Sequence, residues 1–164
     1  MDKELVLREN LAALLTGEYA RMSFDEAVKE FPMSRINDDM PNSDRSPWHL
    51  LEHMRLTQED ILDFIKNPDY RDRSWPDDYW PPKGKRATPA DWRKSVADFK
   101  RDFDELTAMV KDPQTHLYRV IPYQGKSLTF LREIVTTASH NGFHLGEFAI
   151  TRQAMGTWGR SHRG

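Results

Sequence analysis

No cysteine occurs in the 164 residues, which removes disulfides, thiolate metal sites and cysteine nucleophiles together. Any metal ion held here must take nitrogen and oxygen ligands. No apolar run approaches the ~20 residues that span a bilayer. The opening residues, MDKELVLREN, are charged almost from the start and lack the apolar core of a signal peptide. The expectation is a cytoplasmic protein with no membrane partner. Nor is there an excess of charge of one sign, since 24 Lys and Arg against 26 Asp and Glu leave a formal net charge of -2. The basic residues are scattered, so the footprint of a nucleic-acid binder is missing. The short basic end (Arg160, His162, Arg163) reads as a frayed tail. What is present is globular material, 38% apolar and 30% charged, with a mean hydropathy of -0.78. A chain of this length can bury most of its apolar side chains around one core, and the expected organisation is a single domain over residues 1–164.

Four long segments have helical periodicity. The first runs from about Lys3 to Leu15, with Leu7, Leu11, Leu14 and Leu15 at helical spacing and Gly17 closing it. Ser23 and Glu26 form a capping box for a short helix that Pro32 stops. The second long helix begins at Ser46-Pro47 and runs to about Lys66 through Leu50, Met54, Ile61 and Ile65. The third begins at Thr88-Pro89 and runs to about Val110, carrying Trp92, Val96, Phe99, Phe103 and Leu106 on its core side. The fourth is expected to begin near Ser127, after Gly125, and to run through Leu128, Leu131, Val135, Ala138 and Leu145 to Gly156. Almost nothing alternates with period two, so the predicted fold class is all-α, a four-helix bundle. Between the second and third long helices lies a segment rich in proline and aromatics, from Asn67 to Ala87. It is too long for a simple hairpin connection, and a crossover that leaves those two helices parallel is expected. Trp75, Tyr79 and Trp80 within it form either a lid over a site or packed surface cover.

The stretch SPWHLLEHM contains H-x-x-E-H, the spelling of an inverted zinc-protease helix. Histidines four apart share one face of any helix, so the spelling alone decides little, and a protease would need a substrate groove and usually a larger scaffold. A second pair with the same spacing, His140 and His144, lies on the fourth helix. Two such pairs on two bundle helices point to a metal site, because bundles build these sites from facing helices. Three imidazoles with open positions suit zinc, nickel, manganese or iron. His53 follows the core spacing of Leu50, Met54 and Ile61, whereas His49 sits beside Trp48 near the helix start and is expected at the bundle rim. The favoured set is therefore His53, His140 and His144. Glu147 falls one turn beyond His144, where it is a fourth ligand, an acceptor orienting an imidazole, a general base or a solvated surface carboxylate. Glu52 points away from His53, which suits a solvated or capping role. His116 and His162 are expected in solvent.

These residues carry a resemblance. SPWHLLEHMRLTQEDILDF, WPDDYWPP, DWRKSVADFKRD and LREIVTTASHNGFHLGEFAITRQAMGTW resemble, in the same order, segments of the DinB-like (YfiT-like) metalloenzyme superfamily and cover most of residues 44 to 158. The resemblance implies a four-helix bundle with a long crossover between helices 2 and 3, and a divalent metal held by three histidines in a cleft between helices. The histidine of LEHMR is His53, and the HNGFH pair is His140 and His144. His49 falls where the family commonly has glutamine. One departure is that related chains often read YHLGQ where this one reads Phe143-His-Leu-Gly-Glu147, which adds a carboxylate near the site. Characterised relatives include transferases and isomerases that use low-molecular-weight thiols such as bacillithiol or mycothiol. The resemblance thus implies a metal-dependent enzyme acting on a small-molecule substrate, in which a metal on neutral imidazoles lowers the pKa of a bound thiol or water; the added carboxylate of Glu147 is placed to move the proton. The alternatives are a metal-dependent hydrolase and a non-enzymatic metal- or ligand-binding bundle in stress response. Broad apolar helix faces are compatible with a homodimer.

Overall fold

Each long helix starts where the sequence supplies a cap. The computed structural model describes residues 2–18, 22–123 and 126–158. Helix α1 (Lys3–Thr16) begins at Asp2, whose carboxylate accepts from the amides of Glu4 and Leu5, and ends at Gly17, where φ is 72°. The short α2 (Phe24–Val28) opens on the Ser23 and Glu26 capping box. Helices α3 (Pro47–Lys66) and α4 (Pro89–Lys111) open alike, with Ser46 and His49 or Thr88 and Asp91 exchanging hydrogen bonds and a proline in the first turn. Helix α5 (Phe130–Ala154) is capped by the hydroxyl of Thr129.

The start of α5 differs from the sequence expectation. Ser127 and Leu128 belong instead to a hairpin of β1 (Val120–Tyr123) and β2 (Lys126–Thr129), antiparallel, with Val120 opposite Thr129 and Tyr123 opposite Lys126. Strands of four residues place only two side chains on each face, too few for alternation to stand out. Gly125, Arg160, His162 and Arg163 lie outside the described residues. Leu14 and Val135, both at core spacing in the sequence, are exposed.

The long helices form a ring in which α3 and α1 each pack against both α4 and α5. Helices α3 and α4 run parallel. Trp48 Nε1 donates to Ser95 Oγ, Gln58 Nε2 to the Phe99 carbonyl, and Lys66 pairs with Glu105, so position advances along both helices together. Residues 67–87 are thus the expected crossover. Helix α1 opposes α4, with Arg8 near its start donating to the Val110 and Asp112 carbonyls at the end of α4. No helix among the described residues is long and apolar enough to cross a membrane.

The apolar interior falls into two clusters along the bundle. One holds Leu11, Leu15, Ile61, Ile65, Leu106 and Ile134, the other Phe31, Ile36, Leu50, Leu51, Trp92 and Phe148. Between them along α3 and α5 sit Gln58 and Asn141, buried, with Asn141 Nδ2 donating to Gln58 Oε1 at 3.0 Å. A buried amide left unpaired would cost about 1–3 kcal/mol, so this bond ties the two helices in register. At the same level of the bundle α3 and α5 also carry His53, His140 and His144.

The crossover returns along one stripe of α3. At 3.6 residues per turn, His49, His53, Asp60 and Phe64 fall within about 60° of arc. Phe64 meets the ring of Tyr70, Asp60 accepts from Tyr70 and Tyr79, His53 meets Tyr79 and Trp80, and His49 reaches Pro82. This polar stripe on a core helix is explained by the backbone and phenols that cover it.

Candidate metal centre

His53 is held from two sides by the crossover. Its Nδ1 lies 2.8 Å from the Tyr79 carbonyl, which can only accept, so Nδ1 carries the proton and Nε2 keeps its lone pair. The Trp80 ring stacks on the imidazole, 3.9 Å between centroids and 4° from coplanar, which fixes the ring plane. On α5, one turn separates His140 from His144. His144 Nδ1 donates to Glu147 Oε2 at 2.8 Å, which makes Nε2 the nitrogen available to ligate. His140 Nε2 lies 3.3 Å from His53 Nε2.

The three rings offer one nitrogen each, all within 4.8 Å of one another. Two Nε2 atoms at 3.3 Å are compatible with one ring donating to the other or with both lone pairs converging on a cation. A tetrahedral ion with metal–nitrogen distances near 2.1 Å needs nitrogen pairs about 3.4 Å apart. The donor set fits a divalent ion that takes imidazole, and His53, His140 and His144 could hold one. The pKa values of His53 and His140 both lie at about 4, lowered chiefly by burial and also by His144 beside each and, in His140, by His53. At neutral pH both rings are therefore neutral, the form that ligates.

The sequence model of the DinB superfamily matches residues 17–148. The chain belongs to the DinB superfamily. No curated protein and no solved structure matches it. Membership of the DinB superfamily and a three-histidine cluster are compatible with each other and with a metal centre.

His49 is not at the rim of this DinB-superfamily bundle, as its place beside Trp48 suggested, but 4% exposed. Its Nδ1 accepts from the Ser46 amide at 3.2 Å, so Nε2 carries the proton and donates to the Pro82 carbonyl at 3.1 Å. The imidazole thus caps α3 and fastens the crossover, and burial lowers its pKa. Of the two histidines in H-x-x-E-H, only His53 joins the cluster. Glu52 is half-buried and caps no helix. It accepts from Ser95 Oγ at 2.6 Å and from Arg55 Nη2 at 2.8 Å, linking α3 to α4. His116 is exposed as expected.

Two aromatic side chains stand at the mouth of the centre. Trp75 is 70% exposed with its ring 6.3 Å from that of His53, and Phe143 is 71% exposed with its ring 5.0 Å from that of His144. Glu147, its side chain 41% exposed, is bound to His144 on the same helix. Sequence reasoning missed Asp60 and the carbonyls of Tyr79 and Pro82. The available signal was a carboxylate seven residues after His53, on the same face of the helix as both His49 and His53.

Proposed function

We propose that this chain is a metal-dependent enzyme in which His53, His140 and His144 hold a divalent ion and Glu147 is the proton acceptor, acting on a small molecule in a thiol-dependent transfer or isomerisation. The observation that carries the reading is the set of three imidazoles with ligating nitrogens within 4.8 Å and no carboxylate among them. A divalent ion on three neutral imidazoles keeps its full charge and supplies Lewis acidity toward a thiol or water. The chain's own residues do the rest. Tyr79 and Trp80 hold His53 in one tautomer and one plane, and Glu147 does the same for His144 Nδ1–H. With its side chain 41% exposed, Glu147 also reaches the solvent side, where a substrate proton can be taken up. Trp75 and Phe143 offer apolar walls for the body of the substrate.

The test is metal content together with turnover. Wild type is expected to retain one equivalent of zinc or nickel after dialysis, and His53→Ala, His140→Ala and His144→Ala to lose it along with activity in a screen of thiol transfer using bacillithiol or mycothiol. Activity that needs the metal but no added thiol would favour hydrolysis over transfer. Variants that keep the metal and full activity would sink the proposal.

A further inference from the structure

Asp60 is a buried carboxylate on α3, and its partners Tyr70, Arg73 and Tyr79 all belong to the crossover. Oδ2 accepts from the Tyr79 hydroxyl at 2.7 Å, while Oδ1 accepts from the Tyr70 hydroxyl at 3.0 Å and faces Arg73 Nε at 3.2 Å. A carboxylate taken out of water is costly unless such partners replace its hydration, so its presence on a core helix calls for a use. Tyr79 is where that use leads. Its hydroxyl is fixed by Asp60, and its main-chain carbonyl, at the other end of the same residue, accepts from His53 Nδ1 at 2.8 Å. Trp80, the next residue, covers the face of the same imidazole. Burial and the adjacent Asp60 push the Tyr79 phenol up to about 12, so at neutral pH it keeps the proton that it donates.

We infer that Asp60 is a positioning residue for the centre: by fixing Tyr79 it holds the crossover carbonyl on His53 Nδ1 and so turns the Nε2 lone pair of His53 toward a divalent cation. The two nitrogens of a neutral imidazole compete for one proton, and the acceptor placed against one of them decides which nitrogen is left to ligate. An acceptor of this kind on a ligating histidine typically changes metal affinity by 10–100-fold. The inference rests on the three histidines being metal ligands, as proposed above.

Two variants test it. Tyr79→Phe removes one oxygen and keeps the ring, and Asp60→Ala removes the carboxylate. In the metal-free protein, nitrogen-15 spectra of His53 should show the Nδ1–H tautomer in wild type and a mixture in both variants. Cobalt affinity, measured by competition with a chelator, should fall about tenfold in Tyr79→Phe and up to about a hundredfold in Asp60→Ala. If both variants melt at lower temperature but keep the wild-type tautomer and cobalt affinity, Asp60 is a structural anchor only and the inference is overturned. An Nε2–H tautomer in wild type overturns it as well. Should Asp60→Ala fail to fold, Tyr79→Phe decides alone. Equal cobalt binding by wild type and His140→Ala would instead overturn the metal-ligand reading, and the His53 tautomer would still decide whether Asp60 sets it.

Discussion

His140 Nε2 lies 3.3 Å from His53 Nε2, although 87 residues separate them in the chain. Rings so placed either share a proton or share a cation, and in both arrangements a second charge on the pair is excluded. Burial is what keeps them neutral, so acid is the direct way to undo the arrangement.

The first prediction is therefore a pH dependence of stability. His49, His53 and His140 all have pKa values below the ordinary 6.5, the last two at about 4, with burial the leading cause in each. A histidine whose folded pKa lies below its unfolded value takes up protons more readily once unfolded. Its contribution is fully present above pH 6.5 and is lost as pH falls from there toward 4. Asp91 and Asp98, whose pKa values lie below the ordinary 3.8 through hydrogen bonds from Thr88 and Lys94 respectively, withdraw their contribution only in a lower window, as pH falls through that value. The urea midpoint of the metal-free protein should hold steady from about pH 8 to 7 and then drop steadily below 6.5. A midpoint unchanged down to about pH 5 would show that these rings are hydrated in the folded protein.

The two histidines of H-x-x-E-H should separate cleanly on substitution. His49→Ala removes the reciprocal bond of the α3 capping box and the fastening to the Pro82 carbonyl, with an expected loss of about 2 kcal/mol in stability. Its two ring nitrogens are already committed, one accepting and one donating, so cobalt affinity should stay within about threefold of wild type. His53→Ala should lose the metal. Urea denaturation and chelator competition on the same preparations measure both quantities. Loss of metal in His49→Ala with stability intact would restore the protease-like reading of the motif.

The difference between these two histidines marks how far the sequence can be read. Caps, prolines and apolar spacing are local, and Ser46, Thr88 and Gly17 all act where their positions imply. The convergence of His53 with His140 and His144 follows from three residues sharing faces of two packed helices. Legibility ends where a polar residue is committed to a partner that another segment brings to it. His49 serves Pro82, and Asp60 serves Tyr70 and Tyr79. Arg8 gives its guanidinium to the carbonyls of Val110, Asp112 and Thr115, and Arg152 does the same for Ala27, Lys29 and Thr157. A buried arginine is tolerable only when such acceptors are waiting, and their positions are set by tertiary packing rather than by spacing along the chain. The hairpin at 120–129 was hidden for a different reason, being too short to show a period.

Glu147 can be tested for two roles at once, because glutamine keeps one and removes the other. Its Oε2 accepts from His144 Nδ1 at 2.8 Å, and the amide oxygen of Glu147→Gln can accept in the same place, so metal affinity should stay within about threefold of wild type. An amide takes up no proton at neutral pH. If the carboxylate is the proton acceptor, turnover of the thiol-dependent reaction should fall by about 10²–10⁴ in Glu147→Gln while KM moves little. Glu147→Ala removes the acceptor as well and should add a loss of about tenfold in cobalt affinity. A Gln variant that turns over like wild type, beside an Ala variant with weakened metal binding, would restrict Glu147 to orienting His144 and leave the proton to solvent or to the substrate itself.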